Sequence, residues 1–295
     1  MANFSRITFS DLRAQIDEFL AYLDRQRIRL HPASSFSKSV ALARAAVVAA
    51  ENQFVPDEVD PHEAISALGN VGYLARRVLK ARGTGFEKQL FPLLQHLGSG
   101  DPSPLSPGER SEDRDKIFEA ICGSTCAQFA NDVRFVEPPD IICTFEAETW
   151  GIACKVAYGK PSTVVQAIRK GCRQNAMAGV SKGLVVVQAT NLFLHEGMYA
   201  HSENGNVLSL REMGAQQFLF ENTLRAATRP MEIALADEIK ARGLPLGPTV
   251  GVAFVVQTLP YFRKMRSMMA GVLYCSLDRC NHPFVDSFNL EWQRL

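Results

Sequence analysis

The sequence predicts an α/β protein: an all-helical N-terminal part followed by a core whose mixed central sheet is flanked by helices. Three observations carry this expectation. Apolar residues recur at helical spacing through the first hundred positions. The stretch GSGDPSPLSPGERSED at 98–113 then breaks the pattern with proline, glycine, serine and charge. Beyond it, segments of helical period alternate with short apolar or strictly alternating runs of strand length.

The elements follow in order. In FSDLRAQIDEFLAYLDRQ, Leu12, Ile16, Phe19, Leu20 and Leu23 form a helical stripe behind a Ser10 cap. SKSVALARAAVVAAENQF is alanine-rich and similarly periodic, and Pro61 stands where proline opens the next helix, PHEAISALGNVGYLARRVLKAR. FEKQLFPLLQHL closes the set, with Pro92 bending or shortening it. The linker has nothing to bury, so the chain divides into residues 1–110, a helical domain plus linker, and 111–295, an α/β domain with a C-terminal extension. After the linker come a helix (RDKIFEAICGSTCAQFA), a strand pair within DVRFVEPPDIICTF, a strictly alternating strand (TWGIACKVAYG) and a helix (STVVQAIRKGCRQNAMA). A continuous apolar strand, KGLVVVQAT, suits a sheet centre. MGAQQFLFENTLRAAT and PMEIALADEIKARG read as helices separated by Pro230, and TVGVAFVVQT as a further buried strand. The tail from Leu259 to Leu295 has no clear period.

Composition limits the function classes. Of 295 residues, 46% are hydrophobic and 21% charged, enough to bury a sizeable core. Net charge is +1, so nucleic acid would have to meet a local basic groove rather than a basic surface. The cysteines stand singly, without CxxC pairs, as buried thiols of a reducing cytosol do. No signal sequence opens the chain and no apolar run is long enough to span a membrane, so a cytoplasmic protein is expected. Cys275, Cys280 and His282 have poor spacing and no fourth partner for zinc, and LHEG at 194–197 fits no protease spacing; neither is read as a site.

The informative stretch is EPPDIICTFEAETWGIACKVAYG. In the strand at 151–157, Ile152, Cys154 and Val156 point one way, and Ala153, Lys155 and Ala157 the other. The first set belongs to a core, which rules out Cys154 as a nucleophile. Lys155 then stands among small residues on a face with room for a ligand, and a lysine in an apolar strand needs a partner. Asp140, after the Glu137-Pro138-Pro139 corner, is that partner across a hairpin.

PPD at 138–140 followed by GIACK at 151–155 resembles the PD-(D/E)xK phosphodiesterase superfamily of restriction-type nucleases, resolvases and phage exonucleases. The resemblance covers about residues 113–190 and includes that family's order of helix, three strands, helix, strand; it implies a restriction-endonuclease-like core. It further implies a magnesium or manganese ion held by Asp140, by the main-chain carbonyl of Cys154 and by a second acid, with Lys155 orienting the attacking water. The departure is Ala153, which stands where the family carries that acid. Glu119, on the first helix of the core, is the preferred replacement; Glu146 and Glu148 lie in a turn too far away. Gln166 or Gln174 on the following helix is expected against the site, on a polar side with Arg169, Lys170 and Arg173 facing phosphates. The expected function is a metal-dependent nuclease, a hydrolase acting on DNA, whose N-terminal helices and C-terminal extension choose substrate, protein partner or a second copy. The alternative is a catalytically inactive nuclease-fold module that binds nucleic acid or a protein.

Overall fold

The computed structural model describes residues 7–52, 61–98, 111–158, 161–188, 233, 237, 246–256, 261–262, 267–268, 271–275 and 282–293. The first half of the chain is helical where its apolar period runs. α1 (Phe9–Arg25), α2 (Ser35–Asn52) and α3 (Pro61–Ala81) bury the stripes of Leu12, Ile16, Phe19 and Leu23, of Phe36, Val40, Ala43 and Val47, and of Leu68, Val71, Ala75 and Val78. Pro61 is the first residue of α3, where its missing N–H has no helical acceptor to serve. α4 (Glu87–Leu94) carries Pro92 and tightens into a 3₁₀ turn at Gln95–Leu97, the shortening that proline imposes.

α5 (Glu112–Cys126) begins at an N-cap supplied by Ser111, whose side chain accepts from Arg114 N. Glu112, Asp113 and Asp115 in its first turn favour the positive end of the helix dipole. Nearly every residue after Arg114 in this helix is buried, because α3 and α4 cover one side and the sheet the other.

The main sheet has the strand order β2-β3-β4-β5-β6-β9, comprising β2 (Asn131–Phe135), β3 (Ile141–Phe145), β4 (Glu148–Val156), β5 (Lys182–Gln188), β6 (Thr249–Val256) and β9 (Gly271–Cys275). β2, β3 and β4 run antiparallel; β4, β5 and β6 run parallel, which requires the crossover helix α6 (Pro161–Met177) between β4 and β5. β9 returns antiparallel along β6. A small second sheet joins β1 (Ile7–Thr8), β8 (Ser267–Met268) and β7 (Tyr261–Phe262). The two helices expected within 213–243 lie outside the described residues, apart from Ile233 and Asp237, both helical.

Parallel register makes the two faces of the sheet distinct. Ile152, Cys154 and Val156, with Leu184, Val186, Ala253 and Val255, join a continuous core shared with α1–α5 and the last helix, α7 (Pro283–Gln293). Ala153 pairs with Val185 on the opposite face, under α6. α7 is tied to α3 by Arg77. This fully buried side chain donates to Glu291 O (2.5 Å) and to Trp292 O, and its guanidinium lies over the rings of Tyr73 and Trp292.

Candidate functional site

The β3–β4 hairpin sets the positions of the motif residues. Its turn is the pair Glu146–Ala147, both with positive φ (47° and 64°), the backbone of a two-residue type I′ connection. Pairing then runs from Phe145↔Glu148 at the turn to Ile141↔Ile152 at the open end. Asp140 therefore emerges beside Ala153, and Lys155 stands just beyond the paired region. Val136 N donates to Asp140 O (3.0 Å) and closes the proline corner.

At this open end Asp140, 5% exposed, accepts two hydrogen bonds on one oxygen: Oδ2 receives Cys154 N at 2.6 Å and Lys155 Nζ at 2.9 Å. The Lys155 ammonium donates a further bond to Cys154 O at 2.6 Å. The partner expected for the strand lysine is thus the one found. Burial pushes the Asp140 carboxyl above the ordinary aspartate range, while the charge and hydrogen bond of Lys155 and the Cys154 N–H pull it back only in part.

Glu119 is buried at the edge of this pair. Both its oxygens accept from Lys116 Nζ, at 2.9 and 2.8 Å, across one turn of α5. Burial drives its carboxyl from an ordinary 4.5 up to about 7; the Lys116 bond opposes this, and the charges of Asp140 and Glu137 add to it. Lys116 itself is raised although burial works against it, because Glu119 holds it and Glu137 and Asp140 face it. Two carboxylates and two lysines therefore form one electrostatic cluster on α5, the corner and β4. The sequence reading missed Lys116; its only signal was a lysine three residues before a glutamate on a helix.

Other expectations meet different geometry. Ala153 shares the Lys155 side of the strand, but there is no room beside it: it is 0% exposed and packs beneath Gly171. A Cβ on Gly171 would come within 3.2 Å of Ala153 Cβ and 2.8 Å of Val185 Cγ1. Small residues at 153 and 171 let α6 lie close on β4 and β5. On α6, Gln166, Lys170 and Arg173 are exposed and Arg169 is half-buried. Gln174 is buried rather than on the polar side. The helix ends over the strands there, and neighbouring Asn175 reaches Leu184 O and Thr249 Oγ1. Glu146 and Glu148 sit at the far end of the hairpin, as expected, with Glu148 facing Lys182 and His282. His282 also accepts Phe284 N at the start of α7 and packs its ring against Trp150. The Cys154 thiol is buried in the core, its pKa pushed up by that burial.

The magnesium or manganese ion that the resemblance implies takes about six oxygens in near-octahedral array. Among the described residues no group of three or more His, Cys, Asp and Glu is arranged to hold a metal. Lys155 bonds Asp140 Oδ2 and the Cys154 carbonyl, and Lys116 bonds both Glu119 oxygens.

Comparison of the chain with protein-family models, with curated proteins and with solved structures finds no match in any of the three. Among the described residues, no helix is long and apolar enough to cross a membrane.

Proposed function

We propose that this protein is a nucleic-acid-binding module built on a PD-(D/E)xK-type core, in which an internal lysine stands where nucleases of that type hold a metal. The observation that carries the reading is the Lys155 ammonium between Asp140 Oδ2 and Cys154 O. The order α5, β2, β3, β4, α6, β5 agrees with that core. So does the pairing, antiparallel through β4 and parallel from β4 to β5.

The binding face is assigned to α6. Gln166, Lys170 and Arg173 recur at helical spacing on its exposed side, and all three are exposed. Two cations on a chain of net charge +1 give a local phosphate contact rather than a basic coat.

The test is fluorescence anisotropy with labelled single- and double-stranded DNA and RNA, in EDTA and in Mg²⁺. Binding should survive EDTA and weaken with salt, and Lys170→Glu with Arg173→Glu should reduce the slope of log K against log salt by about 1.5–2. Binding to no nucleic acid at any salt would overturn the reading.

A second reading, hydrolysis of the phosphodiester bond, is favoured by Glu119, a buried acid close enough to Asp140 for the two charges to act on each other. Cleavage of DNA by the wild type in Mg²⁺ or Mn²⁺, lost in Asp140→Asn and Lys155→Ala, would establish it over the first.

A further inference from the structure

We infer that Gln89 closes the outer edge of the main sheet: its side-chain amide takes the place of one residue of a neighbouring strand along β2, and without it that edge pairs with a second copy of this chain. β2 is an end strand in the sheet order and is paired with β3 on one side. The main-chain groups on the outer side of such a strand are a template for a further strand unless something occupies them. Gln89, from α4, occupies two. Its Nε2 donates to Val133 O at 2.9 Å, and its Oε1 accepts from Phe135 N at 3.2 Å. The pattern is that of a parallel ladder, in which one residue donates to the carbonyl before its partner and accepts from the N–H after it. With Arg134 as that partner, Gln89 makes both bonds through a group with the chemistry of a peptide bond. A carboxylate would lack the donor and an ammonium the acceptor.

Packing holds the amide in place. Phe86, just before α4, lies against Phe135 with ring centroids 5.0 Å apart. Both rings press on Gly123 of α5, where a Cβ would come within 2.6 Å of Phe86 and 2.8 Å of Phe135. The start of α4 is therefore wedged against the residue whose N–H Gln89 receives. The rest of β2 resists strand addition by other means. Its register slips between Asn131 and Arg134, Asp132 holds a φ of 50°, and Asp132 and Arg134 are both exposed. A bulge and exposed charge each oppose a new neighbour, so the regular stretch Val133–Phe135 is the part another strand could use. It is the part that Gln89 covers.

A second copy fits the opened edge because it offers the same two groups. In an antiparallel pair related by a two-fold axis, Phe135 N of each copy meets Val133 O of the other. Arg134 then stands opposite its own counterpart, a like-charge pair that weakens the contact and that salt would screen.

The experiment follows sedimentation velocity and hydrogen exchange of the Phe135 amide for the wild type, Gln89→Met and Gln89→Lys over a range of protein concentration. Methionine keeps the stem and removes both polar groups; lysine removes the amide but leaves a charge on the edge. Relative to the wild type, Gln89→Met should self-associate as its concentration rises, more so in high salt. Its Phe135 amide should exchange about tenfold faster in dilute solution, as loss of one hydrogen bond allows, and regain protection on association. Gln89→Lys should show the fast amide without added association. Precipitation of Gln89→Met beside a folded, dispersed Gln89→Lys counts as the same result. Equal sedimentation of the wild type and Gln89→Met at every concentration, association that leaves the Phe135 amide unprotected, or failure of both variants to fold overturns the inference.

Discussion

Ala153→Glu restores the acid that the PD-(D/E)xK pattern lacks, and the geometry around it predicts loss rather than gain. Ala153 is fully buried, with Val185 beside it and Gly171 above it, so close that a single methyl on the glycine would already crowd both. A glutamate must therefore lift α6 or distort β4, an overpacking cost of about 1–3 kcal/mol. Its carboxyl would also be buried without a counter-charge, since Lys155 is bonded to Asp140 and Cys154, adding about 1–3 kcal/mol for an unsatisfied polar group. The sum, about 2–6 kcal/mol, is a large part of the stability of an ordinary domain. Urea unfolding followed by tryptophan fluorescence reads it, because Trp150 and Trp292 are both buried. Gly171→Ala is the control: it loads the same contact from the helix side without a polar group, and should cost about 1–3 kcal/mol. The excess of Ala153→Glu over Gly171→Ala measures the uncompensated acid. A variant within about 0.5 kcal/mol of the wild type, or one whose stability Mg²⁺ restores, would refute the reasoning and show that position 153 opens onto the site.

Three further outcomes are expected. Glu119 ionises near 4.5 when unfolded and near 7 when folded, so between those values the native state holds a proton that the unfolded chain has lost, and stability falls as pH rises through this window. Glu119→Gln should remove up to roughly 3 kcal/mol of that fall, leaving the smaller same-sign contribution of Asp140; urea midpoints from pH 4.5 to 7.5 that change in parallel for both proteins would count against it. Ala147 holds φ 64° in the hairpin turn, a conformation glycine adopts without penalty, so Ala147→Gly should stabilise by about 1 kcal/mol with an unchanged m-value. Arg77→Ala leaves two carbonyls at the end of α7 without their donor and a cavity between Tyr73 and Trp292. It should cost about 2–4 kcal/mol, with Arg77→Lys intermediate because an ammonium cannot fork to both carbonyls; equal stability of all three would remove the clamp from the argument.

The parts of the fold that were legible in the sequence are those set by local signals. Pro61 at the start of α3, the stripe of α1, and the alternation of Ile152, Cys154 and Val156 each depend on neighbours within a few residues, and each appears where its period places it. The Asp140–Lys155 pair was legible for the same reason, since a hairpin converts a separation in sequence into adjacency. What could not be read depends on distant chain. Arg77 meets carbonyls more than two hundred positions away, the tightness of Ala153 is a property of Gly171 on the crossover helix, and Gln174 is buried at the end that lies over β5 and β6. The tail lacked a clear period because its short strands and α7 take their order from the edges they pair or pack with.

Charge balance connects these points to the chemistry of the site. Asp140 and Glu119, both carboxyls raised by burial, face Lys155 and Lys116, and the charge of Glu137 acts on the same set. A divalent ion entering beside the two ammonium groups would meet like charge in a poorly screened interior, which opposes its binding. An anion has the opposite sign of interaction with two ammonium groups, yet both are already hydrogen-bonded, so a phosphate gains little without displacing a carboxylate. The cluster as built therefore favours neither small ion. What it does fix is geometry: Asp140 clamps the backbone of Cys154, Lys155 closes the clamp, and α6 starts six residues later with Lys170 and Arg173 outward. Under the proposed function the ionic core is the mount of the helix assigned to binding, and the expected outcome is that Asp140→Asn disturbs affinity for nucleic acid through the position of α6, while Lys170→Glu disturbs it by direct loss of charge and salt dependence, both read by the anisotropy titrations described above.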